Sequence, residues 1–125
     1  MMNKQRPVNL NLFTIRFPRT AIVSILHRIS GVLIFLSLPL LLCALQQSIS
    51  SADSFAHLQA SLASPLGKLL AWFILSAFLC HILAGLRHLL MDMGVGETLG
   101  IARFTATLVL VLTILSMLGL GFLLW

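Results

Sequence analysis

Between Cys80 and Asp92 the chain reads C-H-I-L-A-G-L-R-H-L-L-M-D, an apolar run that carries two histidines, an arginine and an aspartate. On an α-helix His81, Gly85 and His88 fall at i, i+4 and i+7, so they stack along one face. A neutral imidazole is a nitrogen ligand for haem iron, and a glycine one turn on lets the edge of a flat porphyrin approach the backbone. Haem is therefore the leading candidate ligand, with His81 on the metal. A second group, Ser24, His27, Arg28 and Gly31, falls at i, i+3, i+4 and i+7. The haem propionates are anionic and want cations, which His27, Arg28 and His88 are placed to supply. The Ser24 hydroxyl and the Arg28 guanidinium, one turn apart, could also orient and polarise a quinone carbonyl. One axial histidine leaves the far side of the iron to another chain, so the protein is expected to be one part of a complex.

Composition says where such helices must lie. Of 125 residues 59% are hydrophobic and only 9% charged, and the mean hydropathy is +1.07. A water-soluble chain of this size needs many more polar residues to cover its surface, so the surplus must face lipid or partner proteins. The basic amino-terminal segment runs straight into a long span without a small-residue cleavage site, and the first span is expected to act as the insertion signal. A net charge of +5 without basic–aromatic interleaving does not point to nucleic acid. Cys43 and Cys80 sit in apolar runs, with neither a C-x-x-C-H haem attachment nor a zinc spacing, and read as small buried residues.

The order of elements follows from the apolar runs. The chain reads as one membrane-anchor domain over residues 1–125. Residues 1–20 are basic and alternate apolar with polar, which predicts an extended segment on the membrane surface or against a partner. A first span is predicted over 21–45, with Thr20 as N-cap and a kink at Pro39. Residues 46–67 form a polar connection in which Phe55, Leu58 and Leu62 keep helical spacing and allow a short interfacial helix. Ser64 and Pro65 make an N-cap and N1 pair for a second span over 65–92, ended by Gly94 and Gly96. Residues 95–102 turn the chain into a third span over 103–125. The fold class is all-α, an integral membrane protein whose three transmembrane helices form part of a heteromeric bundle.

Charge orients it. Lys4, Arg6, Arg16, Arg19, Arg28, Arg87 and Arg103 fall on one side and only Lys68 on the other, which puts the N-terminus in the cytoplasm by the positive-inside rule. Both polar groups then share the cytoplasmic half of the bilayer. An ionisable residue inside a span costs about 2.5–3.5 kcal/mol at the helix centre, so it usually faces a cavity or a partner. Blander readings compete. Arg28, Arg87 and His88 could snorkel to headgroups, and Ser24 could bond the carbonyl one turn back. His81, about 16 Å along the helix from Asp92, could simply bond a neighbouring helix.

The segments R-P-V-N-L-N-L-F-T-I-R-F-P (6–18), S-I-L-H-R-I-S-G (24–31) and H-I-L-A-G-L-R-H-L-L-M-D (81–92) resemble the cytochrome b membrane-anchor subunits of bacterial succinate dehydrogenase, respiratory complex II. That resemblance implies haem b on His81, shared with a second hydrophobic anchor subunit that supplies the other ligand. It implies ubiquinone as substrate at Ser24 and Arg28, with His27 and Arg28 towards the propionates. The remaining partners would be an iron–sulfur subunit, a flavoprotein subunit and membrane lipid. The location would be the bacterial inner membrane, with the C-terminus periplasmic. The chain has neither a flavin G-x-G-x-x-G motif nor a cysteine cluster, so succinate oxidation is assigned to partners and this chain is a non-autonomous subunit. The alternatives are the anchor of a fumarate reductase or another b-type cytochrome complex, and a non-redox scaffold or small transporter. Proton-coupled export generally needs a carboxylate within a span, whereas Asp53, Asp92 and Glu97 fall at ends or in loops.

Overall fold

The computed structural model describes residues 17–125, so the expected extended segment lies almost wholly outside the described residues. Four helices follow in order: α1 Arg19–Ser50, α2 Ala52–Ala63, α3 Pro65–Asp92 and α4 Leu99–Leu124. The three longer ones are long and apolar enough to cross a membrane. The protein is all-helical over the described residues.

Helix boundaries follow local chemistry rather than hydropathy alone. Thr20 lies inside α1 and does not cap it. Pro18 is the N-cap, and its carbonyl accepts from the amides of Ala21 and Ile22 at 2.9 and 3.2 Å. A proline keeps the preceding residue out of the helical region, which puts the start here. The helix continues through Pro39 and past the expected end at Leu45. Its polar tail stays helical, with Ser48 and Ser50 donating to the carbonyls of Leu45 and Gln46. At 1.5 Å per residue α1 is roughly 48 Å long, well beyond the ~30 Å hydrocarbon layer, so polar turns can project into water.

Ser51 is extended and breaks the helix; its hydroxyl accepts the Ser54 amide at 3.1 Å and starts α2. The polar connection is thus largely helical. Ser64 caps α3 by accepting the Gly67 amide at 3.1 Å, with Pro65 in the first turn. A Cβ at Gly67 would run into the Ser61 carbonyl and the Leu62 backbone, so only glycine permits this tight α2–α3 junction. At the far end of α3 the amide of Val95 returns to the Leu90 carbonyl at 2.9 Å while Gly94 takes φ +79°, the left-handed conformation that suits glycine. Gly96 repeats that φ. Thr98, extended, then starts α4 ahead of the expected Arg103, its carbonyl accepting the Ala102 amide at 2.8 Å.

α3 is the middle helix, packed along α1 on one side and α4 on the other. Small residues line the crossings: Ala77, Cys80 and Ala84 on α3, and Ala102 and Ala106 on α4. Such residues let helix backbones approach closely where lipid supplies no hydrophobic drive. Val23, Ala84, Ala106 and Val109 form the core. The large apolar side chains mostly point outward, among them Phe35, Leu66, Leu118 and Phe122. That is the inverse of a water-soluble bundle and leaves broad faces for lipid or other subunits.

Candidate functional site

His27 and His81 come from antiparallel helices and meet where α1 and α3 cross. Their rings stack with centroids 4.2 Å apart and planes 15° from parallel. His88, two turns beyond His81, approaches His27 at 5.2 Å with a tilt of 49°. Three imidazoles are thus gathered at the end of the bundle where α1 begins and α3 ends.

Two glycines make this possible, and they do so reciprocally. Each helix carries histidine followed by glycine four residues on: His27 and Gly31 on α1, His81 and Gly85 on α3. A Cβ at Gly31 would come within 3.1 Å of His81 Cε1, and one at Gly85 within 3.1 Å of His27 Nε2. Each imidazole therefore lies over the glycine of the opposite helix. The space above Gly85, assigned to a porphyrin edge from sequence, holds the His27 ring in this chain.

Hydrogen bonds complete the arrangement. His81 Nδ1 lies 3.1 Å from the His27 carbonyl oxygen and 3.2 Å from Ser30 Oγ. The Ser30 hydroxyl donates to that same carbonyl at 2.9 Å. Ser30 is buried, 4% exposed, and both histidines are half-buried. His81 Nε2 makes no hydrogen bond with the described residues. The donor chemistry fits a haem ligand, since one ring nitrogen is held by the protein and the other is left available. Among the described residues no group of three or more His, Cys, Asp or Glu side chains is arranged to hold a metal ion.

The other residues singled out from sequence separate. Ser24 is half-buried and Arg28 exposed, one turn apart on α1, without hydrogen bonds to other described side chains. Arg28 lines an open groove of about 250 Å³ with Ile29, Val32 and Leu33. Arg87 does not snorkel. It is 6% exposed, turned towards α4, where Nε donates to Thr105 Oγ1 at 3.2 Å and Nη2 to the Ala102 carbonyl at 3.1 Å. At the opposite end of the same interface Trp72 Nε1 donates to the Met117 carbonyl at 2.8 Å.

Sequence reasoning passed over Ser30, Thr105 and Trp72. For Ser30 a signal existed, a hydroxyl one turn after His27 and beside the glycine that receives His81. For the α4 partners there was none, because the register between α3 and α4 is not written in either helix alone.

Three helices long and apolar enough to cross a membrane, with imidazoles converging where two of them cross, define a multi-pass membrane protein. The chain belongs to the succinate dehydrogenase/fumarate reductase transmembrane subunit family, whose model matches residues 2–120. It is 44% identical to the succinate dehydrogenase cytochrome b556 subunit of Coxiella burnetii over 99% of this chain and 100% of that protein. The cytochrome b556 subunit of Paracoccus denitrificans is 35% identical over 73% of this chain and 70% of its own length. The cytochrome b560 subunit of the succinate dehydrogenase of Porphyra purpurea is also 35% identical, over 74% of this chain and 75% of that protein.

Proposed function

We propose that this chain is the haem b- and ubiquinone-binding membrane anchor of a succinate:ubiquinone oxidoreductase. The observation that carries the reading is His81: a half-buried imidazole at the α1–α3 crossing, its Nδ1 engaged by α1 and its Nε2 left over. The names of the relatives, cytochrome b subunits of succinate dehydrogenase, support the same conclusion.

In this reading His81 would hold the haem iron through Nε2, and a second hydrophobic anchor subunit would supply the other ligand. His27 and His88, gathered at the same end of the bundle, and Arg28 next to His27 on α1 would offer donors to the propionates, while Gly85 would act through the His27 ring that it admits. Bound haem supplies a one-electron redox centre between the anchor helices. Quinone takes two electrons delivered from the iron–sulfur subunit, and two protons, to become quinol. Arg28 donates to a quinone carbonyl from the wall of its groove, and the Ser24 hydroxyl donates one turn away. Ile29, Val32 and Leu33 give the ring and its tail an apolar bed. Succinate is oxidised on a flavoprotein subunit, outside this chain. The charge distribution supports an inner-membrane orientation with the N-terminus in the cytoplasm. The family description covers fumarate reductases equally, so quinol:fumarate and succinate:quinone activities of the purified complex are to be compared directly.

The test is a reduced-minus-oxidised spectrum of the complex purified from membranes. A b-type Soret and α band, abolished by His81→Ala, is the expected result. A wild-type complex without that absorbance, or one in which His81→Ala leaves it intact, returns the chain to a non-redox anchor.

A further inference from the structure

The hydrogen bonds around His81 decide which ring nitrogen carries the proton. The His27 carbonyl can only accept, and the single Ser30 proton is directed at that carbonyl, 2.9 Å away. His81 Nδ1 therefore faces two oxygen atoms, at 3.1 and 3.2 Å, both able to accept from it. A bare Nδ1 would set its own lone pair against the carbonyl oxygen, even if Ser30 turned its proton round. A protonated Nδ1 satisfies both oxygens at once. The tautomer of a histidine is set by the bond its other nitrogen makes, and here that bond leaves Nε2 unprotonated.

From this geometry we infer that Ser30 is a positioning residue for His81: with the His27 carbonyl it holds the Nδ1 proton, aims Nε2 at the metal and strengthens it as a ligand. The inference rests on the haem reading above. The physical effect is that of an outer partner on a metal-bound imidazole. An Nδ1–H that donates strongly makes the ring more basic, and a more basic ligand stabilises the ferric state. Ser30 thus lowers the midpoint potential of the haem. Burial makes the effect larger than a surface hydroxyl would have, since the bond competes with little water. Gly31 belongs to the same device, because a Cβ there would come within 3.1 Å of His81 Cε1 and push the ring away from the α1 backbone that holds it.

The experiment is a redox titration of the intact complex carrying Ser30→Ala, with Ser30→Thr as the hydroxyl-retaining control. The expected result is haem at wild-type stoichiometry, a low-spin b-type spectrum, a midpoint shifted to higher potential in Ser30→Ala, and its return towards wild type in Ser30→Thr. A haem-replete Ser30→Ala complex with an unchanged midpoint overturns the inference while leaving the haem reading in place. A wild-type complex that lacks haem overturns the haem reading itself. Should Ser30→Ala fail to retain haem, the tautomer decides: long-range proton–nitrogen correlation on ¹⁵N-histidine-labelled wild-type complex from haem-deficient cells. A proton on His81 Nδ1 supports the inference and a proton on Nε2 overturns it.

Discussion

The two long interfaces that α3 makes, with α1 and with α4, are both stitched by polar groups, and they use those groups differently. Towards α4, Arg87 and Trp72 reach across to backbone carbonyls, and Thr105, which accepts from Arg87, itself donates to Ala102. At Arg87 and Trp72 that interface closes on itself with small residues between the bonds, while Ser76 on α3 and Thr113 on α4 bury hydroxyls that find no partner among the described residues. Towards α1, the imidazoles of His27 and His81 are held by glycines, a serine and a carbonyl, yet His81 is bonded on one edge only. Polar residues that satisfy each other inside one chain hold helices together. On the proposed reading, an imidazole held on one edge and open on the other has a nitrogen to offer a ligand.

Substitutions on the two sides should separate stability from chemistry. On the α4 side, Arg87→Ala removes two bonds from a buried cation and should lower the stability of the complex by about 2–3 kcal/mol, read as a lower midpoint of denaturant unfolding in micelles. The band positions of whatever haem-loaded complex assembles should not move. A shifted α band in that variant would mean that the two interfaces are not separate. On the α1 side, Ser24→Ala and Arg28→Ala should each lower quinone reductase activity about tenfold, the loss of roughly 1.4 kcal/mol of binding to the quinone. Succinate oxidation by an artificial dye should stay close to wild type, and equal loss of both activities would trace the effect to assembly instead. The smallest change belongs to Trp72→Phe. It removes one hydrogen bond at the end of the bundle remote from the imidazoles and should cost about 0.6–1 kcal/mol, with quinone activity and spectrum unchanged.

Much of the architecture was legible because membrane solvation is a crude and strong selector. Three apolar stretches of sufficient length, the Ser64–Pro65 start and the Gly94 and Gly96 stop all act locally. Local physics was also enough to draw attention to His27 and His81 with their following glycines. It could not tell what the glycines receive, which depends on how α1 and α3 slide past one another. The same ignorance of register hid Ser30, a residue that looks like any serine bonding its own helix until His81 arrives beside it. Arg87 was open to misreading for another reason. A cation near the end of a span is ordinarily solvated by headgroups, and only the carbonyl of Ala102 and the hydroxyl of Thr105 explain why it turns inward. The ends of α1 and α4 differ from the hydropathy boundaries because helices continue beyond the lipid until a residue such as Ser51 or Thr98 takes an extended conformation.

The crossed histidine–glycine pairs make α1 and α3 a keyed couple. Sliding either helix by a single turn would drive both rings into side chains at once, so no neighbouring alignment is nearly as good. The alignment of α1 and α3 is thus specified by contacts that this chain makes with itself. On the proposed haem reading, the imidazole would stand already oriented at a half-buried crossing, and assembly would be the closing of a second surface over it.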